Sequence, residues 1–485
     1  MSDPAQTAPV EPSLSRPFRL IAASAAAGVF IALRLLQLAW RPPFFDELFT
    51  VWIARLGPGA MLEALARDSG PPLYYLVVRL VTAGDPAVFS ARLVSLAAAS
   101  ALLALILLSR RLGNAAGVAA LLLAVFAPHV HFSTEARAYA LAGALAGAGC
   151  LALAGWAAGG RRASLVAGTG LLVAAGASHY YGVLFFPIPL ALGLLARTRR
   201  PVLEGALASA AAGLAFLPGF LLALRQPSEA IAWMRLVGRG PSPLDPLRQL
   251  AFVADYPAVF IAPPPQGLHL AALLLTAVVV AAGARSAEAR RWGVITLVPV
   301  ALAVAFGALG WNVYFPVRFE AVVAAPLVCW LAVSLLGIPR KGIRAALTIL
   351  LLSGGLVSSY LGIMTSLSKR PDPWREAASF VHRTIPESIP VVASGYAYLE
   401  VLAQRDAAWK PPVHGFPRRI EEHPGWTAPA SDADATSALA TLPPLPFVWV
   451  GERSSVEHRA LVRAYRLRPL LAGRGILVAE ATQRP

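Results

Sequence analysis

The sequence predicts a polytopic α-helical membrane protein with a small extracytoplasmic α/β domain at its carboxyl terminus. Of the 485 residues, 57% are hydrophobic and only 14% are charged, which is too little polar surface for soluble domains of this size. Apolar runs of around 20 residues, the length that crosses a hydrocarbon core, recur along the chain. Arginine clusters separate every second run, as in the cytoplasmic loops of membrane proteins.

The apolar runs predict about eleven transmembrane helices, all within a membrane domain spanning residues 1–365. They lie near 20–40, 87–109, 115–133, 138–158, 163–178, 182–196, 203–223, 267–284, 292–310, 321–338 and 345–364. The first run is longer than a signal-peptide core and many more follow it, so we expect a retained helix.

The basic residues between these helices predict the orientation. Groups of basic residues occupy alternate turns: Arg110 and Arg111; Arg161 and Arg162; Arg197, Arg199 and Arg200; Arg285, Arg290 and Arg291; Arg340, Lys341 and Arg344. We therefore expect a multi-pass protein of the plasma (inner) membrane with a cytoplasmic N-terminus. The long segments 41–86 and 224–266 and the carboxyl-terminal domain are then outside.

The net charge of +16 does not indicate nucleic-acid binding, because no basic stripe is interleaved with aromatic residues. Cys150 and Cys329 both lie inside apolar runs, so neither is expected in an exposed disulfide or a thiolate–metal site. His129 and His131 alternate, which is poor spacing for two metal ligands on one helix.

Residues 366–485 have more charge, more proline and shorter apolar runs, which predicts an α/β domain. Asp372 and Pro373 are typical of a helix start, and the helix is expected to run through Arg383. Three segments are typical of buried strands, with helices near 396–406 and 454–467 between them, and 424–445 is expected to be a loop with one short helix. The predicted strands are 389–395, 446–451 and 475–481.

The first outer segment, 41–86, carries two adjacent carboxylates, Asp46 and Glu47, just after the first helix. A partly desolvated carboxylate there suits a general base, and a solvated helix end is the other interpretation. Asp68 precedes a pair of prolines and the apolar stretch 73–83, which is too short to span and predicts an interfacial helix. Its tyrosines, Tyr74 and Tyr75, suit either donor contact or the headgroup layer.

Charged residues recur at the predicted outer ends of later helices. Glu135 and Arg137 lie near the boundary of one helix, where a charge usually faces a water-filled cavity and has a partner. Arg318 begins another, and it suits either a lipid phosphate or snorkelling to headgroups. The candidate substrate contacts are His179, Tyr180, Trp233 and Lys369. His179 and Tyr180 suit either a sugar or a lipid headgroup, and Lys369 suits headgroup contact better.

Five motifs occur in an order that resembles one known group of membrane enzymes. They are FFDELFT (44–50), DSGPPLYYLVVRL (68–80), TEARAYALAG (134–143), SHYYGVLFF (178–186) and YFPVRFE (314–320). The set resembles the GT-C glycosyltransferases, within family 39 and its relatives: the protein-mannosyltransferase and aminoarabinose-transferase-like group. The resemblance covers roughly residues 20–365, and the ordered set carries it because no single motif is specific.

This resemblance implies an inverting transfer of a sugar from a polyprenyl-phosphate donor at the outer membrane face. It assigns the base to Asp46 with Glu47 beside it, and it assigns the donor and its phosphate to Arg318 together with the acidic–basic pair, Glu135 and Arg137. No cofactor is required, although a divalent metal could bind if the three acidic residues converge. The expected partners are the donor, membrane lipids and an acceptor glycan, lipid or protein.

Three other functions compete with this interpretation. A lipid-linked glycan ligase or polymerase would share the donor chemistry. A transporter or flippase often has paired interrupted helices in two halves, a pattern that the sequence lacks. A non-catalytic relative would keep the fold without needing Asp46.

Overall fold

The computed structural model describes residues 16–227, 230, 266–309, 318–368, 372–404, 411–423, 431–473 and 475–483. All eleven predicted transmembrane segments are helical within these ranges. Among the described residues, six helices are long and apolar enough to cross a membrane, or seven if one pair bent by 48° is a single span. The chain is therefore a multi-pass membrane protein, while the number eleven and the orientation stay predictions.

The first half of the membrane part contains twelve α-helices and a 3₁₀ helix over Tyr180–Phe185 within residues 16–227. The α-helices are α1 (Arg16–Trp40), α2 (Phe45–Arg55), α3 (Pro58–Leu65), α4 (Leu73–Val81), α5 (Val88–Leu108), α6 (Ala115–Val125), α7 (Ala127–Phe132), α8 (Tyr139–Ala157), α9 (Arg162–Ser178), α10 (Ile188–Ala196), α11 (Arg199–Ala215) and α12 (Leu217–Ala223). After the undescribed stretch follow α13 (Gln266–Gly283), α14 (Ala287–Ala308), α15 (Arg318–Leu336) and α16 (Lys341–Ser368).

Three segments predicted as continuous helices are broken, namely 115–133, 182–196 and 203–223. In each, a proline lies in the first turn of the second helix: Pro128 in α7, Pro189 in α10 and Pro218 in α12. Proline has no N–H to donate and fits the first helical turn, so a new helix starts at each of these positions. The break before α7 places a short helix at the end of the bundle where Asp46 lies.

Helix α15 forms the centre of the bundle. Its side chains are almost all buried, and it packs against α6, α8, α13 and α14. Two glycines of α8 allow the close approach: a Cβ at Gly143 would lie 2.8 Å from the carbonyl oxygen of Ala321, and one at Gly147 would lie 2.6 Å from the Cβ of Ala325. Small residues at helix contacts drive such packing in membranes.

The segment between α1 and α5 folds into three short helices, α2 to α4. The predicted helix over 73–83 is observed as α4, which leaves Leu80 and Val81 exposed. Arg79 of α4 donates to the carbonyl oxygens of Ala54 (3.3 Å) and Arg55 (3.0 Å), which satisfies the carboxyl end of α2. Helix α2 is thereby fixed against α4.

The carboxyl-terminal domain contains a five-stranded mixed sheet in the order β2-β1-β3-β5-β4. Strand β1 (Val391–Ala393) is parallel to β2 (Val413–Gly415) and β3 (Phe447–Glu452), whereas β5 (Ile476–Thr482) is antiparallel to β3 and β4 (Arg466–Gly473). The helices of this domain are α17 (Pro373–Thr384), α18 (Tyr396–Ala403), α19 (Arg419–Glu422), α20 (Asp432–Ala438) and α21 (Val456–Ala464), with a 3₁₀ turn over Leu439–Thr441.

All three predicted strands are present, and α17 begins as expected, with the Asp372 carboxylate accepting from the backbone N–H of Trp374 (3.0 Å). Strands β2 and β4 were not predicted. The helix expected over 454–467 ends at Ala464, because the residues after it pair with β5. The short helix expected within 424–445 is α20, whereas 424–430 lie outside the described residues.

The carboxyl-terminal domain contacts helix α2 of the membrane part. Leu399 of α18 belongs to the same buried cluster as Phe49 and Ile53. His423 lies edge-on to Phe49 and Trp52, with ring centroids 5.4 and 6.0 Å apart. Burial, assisted by the charge of Arg67, lowers the pKa of His423 to about 4, so this histidine is neutral at neutral pH. The domain is therefore anchored on the helix that carries Asp46.

We predict that Gly147→Leu destabilises the bundle, because the added side chain would overlap Ala325 and Leu102. Overpacking of this kind costs typically about 1–3 kcal/mol. Gly170→Leu is the matched control, since Gly170 is an exposed glycine of α9 with no heavy atom within 4 Å of an added Cβ. The apparent Tm of both purified variants in detergent measures this, and equal Tm values would contradict the packing described.

Candidate active site

The candidate site is built on the first turn of α2. Asp46 and Glu47 both lie there, where the partial positive charge of a helix N-terminus stabilises carboxylates. Successive residues on an α-helix point about 100° apart, so the two side chains leave the helix in different directions. One enters the protein and the other faces a partly exposed cluster of cations.

Glu47 is completely buried and its carboxylate is fully hydrogen-bonded. Arg92 donates through Nε to Oε1 (2.7 Å) and through Nη2 to Oε2 (2.6 Å). The backbone N–H of Ala136 donates to Oε1 (2.8 Å), and that of Phe44 donates to Oε2 (3.0 Å). The arrangement ties α2 to α5 and to the turn before α8, which favours a structural role for Glu47, while its catalytic role stays a prediction.

Arg92 is a residue that the sequence analysis missed. Besides Glu47, its guanidinium donates to the carbonyl oxygens of Arg41 (2.9 Å) and Pro42 (3.0 Å), so it also fixes the chain between α1 and α2. The feature of the sequence that could have identified Arg92 is its position within an apolar run predicted to span the membrane. A charge there is costly and usually has a buried partner.

Asp46 is shared by two arginines from distant parts of the chain. Its Oδ2 lies 3.7 Å from Nη2 of Arg137 and 3.4 Å from Nη2 of Arg318, and these three side chains are 12–24% exposed. The distances are longer than the 2.7–2.9 Å of tight charged hydrogen bonds. In these contacts two cations share one carboxylate.

Arg318 also contacts an aromatic ring: its Cζ lies 5.7 Å from the ring centroid of Tyr139. This distance is within the range of a cation–π interaction. His179 lies on the same aromatic layer, 4.7 Å from Tyr139 and 4.5 Å from Tyr181 between ring centroids. His179 therefore supports the platform under Arg318.

Glu135 was predicted to bind the donor, and the structure places it beside the cluster in a buried ion pair. Its Oε2 lies 2.6 Å from Nη2 of Arg41 and 2.9 Å from Nε2 of His131. The Nδ1 of His131 lies 3.0 Å from Nε2 of Gln37, so the amide donates to Nδ1 and the proton of the imidazole is on Nε2. These contacts fix the turn that carries Arg137.

A third residue of the same face of α1 lies deeper in the bundle. Arg34 is fully buried and donates to Ser133 Oγ (3.1 Å) and to the carbonyl oxygen of Ala124 (2.7 Å), and its Nη2 lies 2.8 Å from Nδ1 of His129. Arg34, Gln37 and Arg41 follow an i, i+3, i+7 spacing, which places them on one stripe of the helix. These three side chains fix α7 and the turn after it in place. None of the three was selected from the sequence.

The two tyrosines of α4 are packing residues in this structure. Tyr74 is fully buried, and its hydroxyl lies 3.0 Å from Ser95 Oγ and donates to the carbonyl oxygen of Ala91 (3.3 Å). Tyr75 is buried with its hydroxyl against Gly70. Burial raises the pKa of both phenols, so both stay neutral. Of the two interpretations of Tyr74 and Tyr75, the geometry favours the structural one.

The remaining predicted contacts are divided between the described and undescribed parts of the chain. The hydroxyl of Tyr180 donates to Oε1 of Gln226 (2.9 Å), whose amide nitrogen donates to the carbonyl oxygens of Leu65 and Gly70. Tyr180 thus links the turn after α9 to the first outer segment. Trp233 and Lys369 lie outside the described residues.

Asp68 is a second carboxylate near the cluster that the sequence analysis did not select. It is 9% exposed, and burial raises its pKa from an ordinary value of 3.8 to about 6. The charge of Arg137 opposes this shift and that of Asp46 adds to it. The site therefore contains a carboxyl group that titrates close to physiological pH. Among the described residues, no group of three or more acidic, histidine or cysteine side chains is arranged to hold a metal ion.

We predict that Glu47→Gln strongly destabilises the fold, because Arg92 would be left as a buried charge without its carboxylate. Removing one partner of a buried ion pair costs about 3–5 kcal/mol. Glu63→Gln, at an exposed glutamate of α3, is the control. Thermal unfolding in detergent compares the two, and a Glu47→Gln variant that melts with the wild type would show that the pair is dispensable.

We predict that Asp68→Asn stabilises the protein in a pH-dependent way. Because folding raises the pKa of Asp68 from 3.8 to about 6, the ionised form costs stability progressively between about pH 4 and pH 6, and fully above that range. The full cost is roughly 3 kcal/mol. The Tm gain of the variant should be small at pH 4 and largest at pH 7 or above, and a gain independent of pH would contradict a raised pKa.

The architecture is similar to that of solved structures, although neither a family model nor a curated relative matches the sequence. ArnT from Cupriavidus metallidurans bound to undecaprenyl phosphate aligns with a TM-score of 0.60 and 13% identity, over 96% of this chain and 98% of that chain. The apo state of the same protein aligns with a TM-score of 0.57 over the same shares. The chain therefore has the GT-C fold that its ordered motifs predicted.

Proposed function

We propose that this protein is a glycosyltransferase that moves a sugar from a polyprenyl-phosphate donor to an acceptor hydroxyl at the outer face of the membrane. One observation carries the proposal. The partly exposed carboxylate of Asp46 lies between Arg137 and Arg318, at 3.7 and 3.4 Å, in a chain with the fold of a protein whose structure contains undecaprenyl phosphate.

The two arginines are suited to bind the donor phosphate. Guanidinium groups bind phosphate oxygens through paired hydrogen bonds. The two arginines come from the first and the second half of the membrane domain in sequence. When the bond between the anomeric carbon and the phosphate oxygen breaks, negative charge develops on the leaving phosphate. Arg137 and Arg318 stabilise that charge, so the leaving group needs no proton.

Asp46 is suited to act as the general base. The acceptor hydroxyl attacks the anomeric carbon on the face opposite the phosphate, its proton passes to the Asp46 carboxylate, and a new glycosidic bond forms as the bond to phosphate breaks. A single displacement of this kind inverts the anomeric configuration. Asp46 is preferred to Glu47 because its side chain is 24% exposed, whereas that of Glu47 is fully buried with four hydrogen bonds.

The surroundings of the cluster support access from the lipid. Phe44, directly before α2, and Phe89 and Leu93 of α5 are apolar side chains that are 42–58% exposed. In a membrane these side chains contact acyl chains, and a polyprenyl tail has the same chemistry. The donor can then place its phosphate at the arginines while its tail stays in the bilayer.

A transporter or flippase for a lipid phosphate would also use the two arginines, but it would have no need of a base. We predict that Asp46→Asn lowers donor turnover at least about 100-fold, the lower limit for a general base. Purified wild type and variant are given a panel of radiolabelled polyprenyl-phosphate hexoses and pentoses with an envelope extract as acceptor, and the label leaving the lipid fraction is followed. Asp85→Asn is the control, because Asp85 is an exposed carboxylate of the same segment.

The panel separates the possible outcomes. Consumption of one donor by the wild type and by Asp85→Asn, but not by Asp46→Asn, supports the reaction and the base, and it identifies the sugar. Full activity of Asp46→Asn would reject the assignment of the base. Binding of undecaprenyl phosphate without consumption of any donor would favour a carrier of the lipid over a transferase.

A further inference from the structure

A cavity of about 790 Å³ lies between the membrane part and the carboxyl-terminal domain. Pro42, in the connection from α1 to α2, contributes to its lining from the membrane side. Most of the remaining lining comes from one helix, α17, through Arg375, Glu376, Ser379, Phe380 and Arg383. None of these five residues takes part in the chemistry proposed above, so the cavity needs a separate explanation.

The lining residues of α17 form one continuous face. Together with Asp372 they follow the spacing i, i+3, i+4, i+7, i+8 and i+11, which places them along one side of an α-helix. The opposite side carries Ala377, Ala378 and Val381, which are buried in the core of the carboxyl-terminal domain. The helix thus packs its apolar face into its own domain, to which Ser379 also donates through Oγ to Gln404 Oε1 (2.7 Å), and its charged side chains line the cavity.

This face carries equal numbers of positive and negative side chains, and in the described structure these side chains do not form ion pairs with one another. Among the described lining residues, two arginines (Arg375 and Arg383) balance the charge of two carboxylates (Asp372 and Glu376). Within the part of the chain that the structure describes, Glu376 and Arg383 make no ion pair, whereas the charge of Arg375 acts on the buried carboxyl of Glu400. The face therefore offers both hydrogen-bond donors and acceptors to a ligand.

We propose that this cavity binds the carbohydrate portion of the acceptor. Sugar hydroxyls donate and accept hydrogen bonds, so they match guanidinium groups and carboxylates at the same time. The half-buried ring of Phe380 offers an apolar surface for the C–H face of a pyranose. Balanced charge disfavours both an anionic lipid headgroup and a basic peptide. The volume lies within the roughly 300–1,000 Å³ that is usual for ligand sites.

The position of the cavity fits an acceptor, an inference that rests on the proposed function. Pro42 precedes Asp46 by four residues, a separation of at most about 14 Å even for an extended chain. The carbonyl oxygen of Pro42 accepts a hydrogen bond from Arg92, which also holds Glu47 beside Asp46. Cavity and base are thus fixed to each other, and a glycan lying along α17 can present a hydroxyl to Asp46.

The test is direct binding, which needs no turnover. The full chain in nanodiscs is probed with an array of water-soluble envelope oligosaccharides, with vesicles containing a glycolipid, and with sugar-free phosphatidylglycerol vesicles. Ser379→Trp fills the middle of the cavity, and Thr384→Trp adds the same bulk at an exposed position of α17 that does not line it. Binding of undecaprenyl phosphate is measured in parallel to show that both variants keep the membrane site.

We expect the wild type and Thr384→Trp to bind at least one oligosaccharide or the glycolipid, and Ser379→Trp to bind it at least about tenfold more weakly. Undecaprenyl phosphate binding should be equal in all three. Array binding separates free glycans from glycolipid headgroups as the source of the sugar. Binding only to phosphatidylglycerol, binding to no sugar, or equal glycan binding by Ser379→Trp would each overturn the proposal, whatever the donor assay shows.

Discussion

The buried ion pair between Glu47 and Arg92 is the interaction on which the candidate site depends. It joins α2 to α5, and its remaining hydrogen bonds reach the backbone of Ala136 and the carbonyl oxygens of Arg41 and Pro42. The turn that carries Arg137 and the start of α2 that carries Asp46 are therefore held by one charged group. A pair whose side chains are at most 5% exposed can be this rigid because water hardly competes for either partner.

This arrangement separates the roles of two neighbouring carboxylates. The carboxylate of Glu47 is fully hydrogen-bonded inside the protein, whereas that of Asp46 remains partly exposed between two cations. Arg34 and Gln37 of α1, together with Arg41 directly after it, fix the same turn from the other side, through His129, His131 and Glu135. The carboxyl-terminal domain contacts α2 through Leu399 and His423, so the helix with the candidate base is supported from three directions.

The sequence alone located the helical segments. It did not show where those segments break or which groups their charged side chains contact. Apolar runs located all eleven helical segments because lipid exposure demands them, but Pro128 and Pro189 lie within runs whose apolar character does not change. Asp46 and Glu47 could not be told apart, since one-dimensional spacing does not show which of two adjacent side chains turns inward. Strand β4 was missed because its side chains are mostly exposed and lack a buried pattern.

The most direct test of the account is to locate the donor's phosphate. Cryo-electron microscopy of the full chain in nanodiscs with undecaprenyl phosphate would show the position of that group relative to the two arginines. We predict a phosphate within hydrogen-bond distance of Arg137 and Arg318, with Asp46 on the side left open for an acceptor. A phosphate bound elsewhere, such as near Arg340 and Lys341 at the start of α16, would contradict the assignment of this cluster as the site of transfer.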